Sequence, residues 1–223
     1  MATTVLFWDL DGTLLTTGRA GLYAFEEAVE EVTGAKVDLE EVSTPGFTDA
    51  GVAKLVLEHA GQQSDPERID AVLRAYERRL PASLPRRQGR VLEGIRELLE
   101  DLDGRSDVRS YLLTGNTPAG ARAKLAHYDL EHFFPDGDGA FCIDQGSRTD
   151  IARRALPLAE GAQAVYVIGD TPADIECGKA IGARTIAVAS GWHSREELER
   201  HEPWLLLEQI PAPAEFRRLI GTG

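Results

Sequence analysis

Val5-Leu6-Phe7-Trp8-Asp9-Leu10-Asp11-Gly12-Thr13 is the stretch on which the reading of this chain turns. Its four leading apolar residues are too few for a helix and rich in strand formers, so they predict a buried strand. The run stops at Asp9, and Gly12 permits a turn. Alternation along an extended chain puts Asp9 and Asp11 on one face. Two neighbouring carboxylates at a strand end suit a hard cation, or a nucleophile with an acid/base partner. An acidic turn ahead of a helix is the plainer alternative.

Outward from this stretch, Leu22, Phe25, Val29 and Val32 recur at helical spacing until Gly34 supplies a stop, with Glu26, Glu27, Glu30 and Glu31 forming a solvated face between them. Two more helical patterns follow, Val52/Leu55/Val56/His59 and Ile69/Val72/Leu73/Tyr76/Leu80. Successive helices with no strand between them predict an inserted helical module. After Pro81, Pro85 and Gly89 the pattern alternates. Leu92 to Leu102 reads as a helix, Ser110 to Leu113 as a strand and Ala119 to Tyr128 as a helix. Ala140 to Ile143 is a short apolar piece, 149–159 a helix, Ala164 to Ile168 a strand, Ala173 to Ile181 a helix and Thr185 to Ala189 a strand. Ser194 with Glu197 forms a capping box, Trp204 to Leu207 is a last strand, and Pro213 to Ile220 a terminal helix. Such alternation predicts an α/β fold: a Rossmann-like parallel sheet covered by helices on both faces, with an inserted α-helical domain. The expected division is a core of residues 1–14 and 89–223 and a helical insert of residues 15–88.

The 223 residues allow one large domain or a core with an insert, and 43% apolar with 27% charged residues sets disordered, collagenous and coiled-coil chains aside. With 24 Lys+Arg against 37 Asp+Glu the net charge is −13, which argues against nucleic acid and anionic membrane as partners. Cys142 and Cys177 make no disulfide framework, and no apolar stretch approaches the roughly 18 residues of a membrane span, so a cytoplasmic location is expected.

In an open parallel sheet, ligands bind beyond the carboxyl ends of the strands. A second such end is Leu112-Leu113-Thr114-Gly115-Asn116, where a hydroxyl and exposed amides before a helix can cradle phosphate, though taken alone an ordinary turn and cap is the better reading. A third is Gly169-Asp170-Thr171-Pro172-Ala173-Asp174, in which Pro172 opens a helix and Asp174 reaches back toward Asp170. Asp9, Asp11, Asp170 and Asp174 converging without a cation would repel one another, so bound Mg²⁺ is the economical explanation. Asp174 also fits a helix-dipole role in a first turn. Arg148 precedes a further helix and on its own reads as a solvated surface residue, as do Arg153 and Arg154.

Taken in order, Asp9-x-Asp11-Gly12-Thr13, Thr114, a basic residue and Gly169-Asp170-x-x-x-Asp174 resemble the haloacid dehalogenase-like hydrolase superfamily over nearly the whole chain. The helical insert resembles that family's C1 cap, which points to the phosphoglycolate phosphatase-like branch, and Gly46-Phe47-Thr48-Asp49 resembles its active-site cap loop. The resemblance implies a Mg²⁺-dependent phosphatase acting on a small phosphorylated metabolite. In it Asp9 would form an aspartyl phosphate and ligate Mg²⁺. Asp11 would serve as acid and base, lending its carbonyl to the metal, and Thr114, Gly115 and Asn116 would bind the phosphoryl group. Asp170 would ligate the metal, with Asp174 beside it or orienting its waters, and Phe47 and Thr48 would face the substrate from the cap. Arg19 and Tyr23 are further candidates there. The family's third motif is usually a lysine; here Arg148 stands at the matching place, with Lys124 and Lys179 as poorer alternatives. Asp11 argues against dehalogenation, since a halide needs no proton, and the loop's lack of a lysine before Lys54 argues against a phosphonatase. A β-phosphoglucomutase-like phosphosugar mutase, a receiver-like domain and a silent scaffold are the alternatives.

Overall fold

The computed structural model describes residues 3–135 and 139–222. Its centre is a six-stranded sheet built from β1 (Thr4–Trp8), β4 (Val108–Leu113), β5 (Gly139–Ala140), β6 (Ala164–Gly169), β7 (Arg184–Val188) and β8 (Leu205–Leu207). The order is β5-β4-β1-β6-β7-β8, and every pairing is parallel. β1 is buried along its whole length, as a central strand covered on both faces must be. Its side chains alternate between two cores. Val5 and Phe7 pack with Val167 and with helices α6 (Arg148–Ala155) and α7 (Pro172–Ala180). Leu6 and Trp8 pack with α4 (Ile95–Leu102), α5 (Pro118–His127) and α9 (Pro213–Ile220), where Trp8 stacks on Phe216 at 5.8 Å between ring centroids. The expected α/β fold with helices on both faces is the observed one.

Between β1 and β4 run α1 (Ala20–Thr33), α2 (Asp49–His59) and α3 (Pro66–Ser83), joined by a stacked Phe25–Tyr76 pair and sharing one apolar cluster. Gly34 ends α1 at φ 75°, the left-handed stop its position predicted. The glutamates of α1 are more than a solvated face. Glu27 and Glu31 pair with Arg78, Arg79 and Arg86, and Glu26 accepts the Leu39 amide at 2.8 Å.

Four features lie outside the sequence reading. β2 (Leu15–Thr16) and β3 (Arg90–Val91) form an antiparallel ribbon where the chain leaves toward α1 and returns from α3; two-residue strands leave no periodicity to read. The helix expected over 149–159 stops at Ala155 and continues as a 3₁₀ turn, Leu156–Ala159, because Pro157 has no amide with which to extend the α-helical ladder. Likewise the last strand begins at Leu205 and leaves Trp204 half exposed, and the apolar piece expected from Ala140 pairs only at Gly139–Ala140. No helix among the described residues is long and apolar enough to cross a membrane.

Trp8 joins the central strand to α9, so Trp8→Ala should lower unfolding stability by about 3–5 kcal/mol, the usual cost of emptying a large aromatic site. Urea denaturation followed by circular dichroism measures it.

Candidate active site

Strand register alone assembles the site. Trp8 lies level with Leu112 on one side and Ile168 on the other, so the residues that follow each strand emerge at one edge: Asp9, Thr114 and Asp170. β1 is also where strand order reverses, β4 and β5 lying to one side and β6 to β8 to the other, which opens a crevice at its carboxyl end.

Asp9 is buried, and its amide donates to the Ile168 carbonyl at 2.9 Å. One carboxylate oxygen each of Asp9, Asp170 and Asp174 lie within 4.8 Å of one another. Burial, reinforced by the charges of Asp174 and Asp11 and opposed by Arg148, pushes the Asp9 carboxyl up to about 7. Burial pushes Asp170 up strongly too, with Asp174 and Asp9 adding to it. Asp170 Oδ1 accepts from the Thr13 hydroxyl at 3.1 Å, whereas its buried Oδ2 has no hydrogen-bond partner among the described residues. Close packing holds this carboxylate: a Cβ at residue 191 would sit 1.7 Å from Oδ2, and one at residue 12, where φ is +88°, would sit 2.3 Å from it. Glycine is therefore required at both positions.

Arg148 enters from the start of α6, its side chain only 10% exposed, and forks between two acids. Nη1 donates to Asp9 Oδ1 at 3.3 Å, Nη2 donates to Asp174 Oδ1, and the buried Nε has no partner among the described residues. Burial works against the guanidinium, but Asp174 and Asp9 more than offset it and raise its pKa. Asp174 is fully engaged, because its Oδ2 accepts from the Thr171 amide and hydroxyl in the capping box of α7.

Thr114 is buried and accepts from the Asn116 amide at 3.3 Å and from Asn116 Nδ2 at 2.8 Å, which leaves its own hydroxyl proton free to donate. Asn116 turns toward Asp11, donating from Nδ2 to Oδ2 at 2.8 Å. Gly115 is a point of close approach between insert and core: a Cβ there would meet the Phe47 carbonyl at 2.6 Å and Arg148 Nη1 at 2.9 Å. The loop before α2 is seated by Asp49, whose amide donates to the Gly115 carbonyl and whose Oδ2 accepts the Thr117 amide, each at 2.7 Å. Burial raises the Asp49 carboxyl to about 6, against the pull of Lys124 and the Thr117 amide. The Thr48 hydroxyl caps α2 through the Gly51 amide, and Phe47 stays half exposed.

A cavity of about 330 Å³ opens above these groups, with Asp9, Asp11, Asn116, Lys124 and Arg148 on the core side and Arg19, Phe25, Phe47, Asp49 and Tyr76 from the insert. Arg19, left-handed at φ 70°, clamps the loop ahead by donating to the carbonyls of Leu39 at 2.7 Å and Glu40 at 2.6 Å. Tyr23 is not among the lining residues; its ring carries the Arg87 guanidinium 3.6 Å from the centroid. Lys179 pairs with Glu176 at 3.3 Å on the surface, outside the site. Arg154 is held by Asp144, and Arg153 pairs with Asp150.

Sequence reasoning undervalued or passed over several of these groups. Lys124, ranked as a substitute for Arg148, instead binds Asp11; its spacing from Ala121 and beside Leu125 places it on the buried stripe of α5, which was a readable signal. Asp49, Thr13, Ser190 and Gly191 were also given no role. Ser190 follows β7 and donates to the Gly12 carbonyl at 2.9 Å; the strand-end rule applied to β7 would have found it.

The arrangement of strand, turn and acids matches known proteins along the chain. A model of the haloacid dehalogenase-like hydrolases matches residues 5–188. The chain belongs to this family. It is 24% identical over 212 residues to a pyrophosphatase assigned as PpaX in Caldanaerobacter subterraneus, covering 94% of this chain and 92% of that protein. It is 27% identical over 223 residues to the probable phosphatase IndB of Dickeya dadantii, covering 98% and 93%. The crystal structure of CbbY from Rhodobacter sphaeroides in complex with phosphate superposes with a TM-score of 0.74 at 22% identity, over 94% of this chain and 95% of that one.

Asp49 ties the insert to the core, so Asp49→Ala should cost about 1–3 kcal/mol by leaving the Thr117 amide unpaired, while Asp49→Asn, which keeps an acceptor, should lose less. Paired urea titrations of the two variants distinguish these outcomes.

Proposed function

We propose that this haloacid dehalogenase-like hydrolase is a Mg²⁺-dependent phosphatase that cleaves a small phosphomonoester through an aspartyl phosphate on Asp9. The observation that carries the reading is the buried Asp170 Oδ2 left without a partner beside Asp9, in a site that also holds an unpaired buried Arg148 Nε. One orphaned acceptor and one orphaned donor suit a cation and an anion bound side by side. Hard carboxylate oxygens are the donor set Mg²⁺ takes. Asp9, Asp170 and the Asp11 carbonyl would hold it, and when bound it would neutralise acid charge and polarise the phosphoryl oxygens. Asp174, with both oxygens engaged, serves by holding Arg148.

In the first step an Asp9 carboxylate oxygen attacks phosphorus, the bond to the leaving alcohol breaks, and Asp11 supplies that alcohol with a proton. Arg148 and the Thr114 hydroxyl stabilise charge on the transferring oxygens. In the second step Asp11 takes a proton from water, the water oxygen attacks phosphorus, and Asp9 departs. Gly115 borders the phosphoryl site, and Asn116 orients both Thr114 and Asp11. Residues 15–88 act as a cap, with Phe47, Thr48 and Arg19 forming its substrate-facing side. The relatives named as phosphatase and pyrophosphatase agree with phosphoryl chemistry.

Purified protein with Mg²⁺ should release phosphate from members of a phosphomonoester panel, and Asp9→Asn should not. Borohydride quenching during turnover should convert Asp9 to homoserine, read by mass spectrometry of the peptide; unmodified Asp9 in an active enzyme would exclude the intermediate. Arg148→Ala should lose on the order of 10²–10³-fold in kcat, the usual effect of removing one preorganised donor, and Arg148→Lys far less. Saturating Mg²⁺ should raise Tm, since about 2.7 kcal/mol of stabilisation follows at 100-fold over Kd. Asp170→Asn should abolish that rise in a thermal melt.

A further inference from the structure

Lys124 is the least expected charge in the molecule. It sits on the buried face of α5, 4% exposed, with Ala121 and Leu125 for neighbours. Leucine would pack there at no electrostatic cost, whereas an ammonium withdrawn from water needs compensating partners. Those partners are specific. Nζ donates to Asp11 Oδ2 at 2.5 Å and to Asn116 Oδ1, and Asn116 Nδ2 donates to the same Asp11 oxygen at 2.8 Å. Both donors therefore converge on Oδ2, and among the described residues no hydrogen bond is formed to Oδ1. The Asp11 side chain is 40% exposed and borders the cavity, so the free oxygen belongs to a carboxyl that reaches the substrate space.

We propose that Lys124 is a positioning residue for Asp11: with Asn116 it claims Oδ2 and leaves Oδ1 as the oxygen that carries the transferable proton. A carboxylic acid accepts through its carbonyl oxygen and donates through its hydroxyl. Two donors on Oδ2 make it the carbonyl-like oxygen, and the proton that reaches the leaving alcohol stands on Oδ1. When the alcohol departs, that O–H bond breaks, the new alcohol O–H bond forms, and the charge left on Asp11 lies beside the ammonium. The same contact holds the carboxylate in place for the attacking water in the second step. Arg148 cannot substitute, because its fork is spent on Asp9 and Asp174.

This inference rests on the phosphatase reading and its assignment of Asp11 as the acid, and its test separates the two. The readout is kcat/KM, which reports departure of the leaving group, on an alkyl phosphate and on p-nitrophenyl phosphate. An alkoxide needs protonation as it leaves; nitrophenolate does not. General acid catalysis contributes about 10²–10⁴-fold, so Lys124→Met should lose on the order of 10²-fold on the alkyl ester and less than about tenfold on the aryl ester. Asn116→Ala, which removes the other donor to Oδ2 and also releases Thr114, should lower both esters but the alkyl ester by on the order of tenfold more, and that difference carries the test if Lys124→Met does not fold. In an Asp11→Asn background, Lys124→Met should add almost nothing on the alkyl ester, because residues acting through one group are not additive. Equal losses on both esters, or additive losses in the Asp11→Asn background, would overturn the role. A wild-type protein inactive on both esters, or an Asp9→Asn variant that stays active, would instead remove the reading beneath it.

Discussion

Three buried carboxylates meet at the end of the central strand, and their mutual repulsion is the constraint around which the site is arranged. Asp9, Asp170 and Asp174 come from two strand ends and the first turn of α7, brought together by parallel register. Burial makes the charged forms of Asp9 and Asp170 costly. Asp9 is accordingly shifted to about 7, and Asp170 is pushed up as well. One guanidinium against three acids leaves the cluster short of positive charge, and Asp170 Oδ2 is where the shortfall is visible.

The same constraint accounts for the glycines that surround it. Gly12 and Gly191 bring backbone against the Asp170 carboxylate closely enough that no side chain fits. Thr13 and Ser190 tie those loops down through their hydroxyls. A carboxylate confined in this way loses little entropy on accepting a ligand, which is the physical content of preorganisation.

Much of this was legible from the chain. Val5 to Trp8 reads as a buried strand because nothing else accommodates four apolar residues bounded by acid and glycine, and Asp9, Thr114 and Asp170 follow from a rule about strand ends. Arg148 was harder, since an arginine at a helix start has no local mark of burial; only the family pattern singled it out. The ribbon of β2 and β3 lies below the resolution of any periodicity argument. Asp49 stands in the sequence only as the end of the Gly46-Phe47-Thr48-Asp49 loop, and its bonds to Gly115 and Thr117 join residues 66 and 68 positions apart, which no local pattern encodes. Lys124 differs: it stood on an apolar stripe and could have been read as a buried charge in search of an acid.

The two cations divide the acids between them, and their chemistry suits the division. Asp9 and Asp174 present oxygens in different directions from different elements, a geometry that a planar fork can bridge and a point charge cannot. Asp174 can serve as the far anchor only because the capping box of α7 fixes its other oxygen. Arginine at 148 thus belongs with Thr171 and Asp174 as a unit. Asp11 has the opposite requirement: one oxygen must be held while the other stays free, and a compact ammonium reaching up from α5 touches one without crowding its neighbour. A chain of net charge −13 can hold an anion because these two cations are buried where the acids are, while the remaining excess is spread over surfaces such as α1, where Glu27 and Glu31 find arginines of their own.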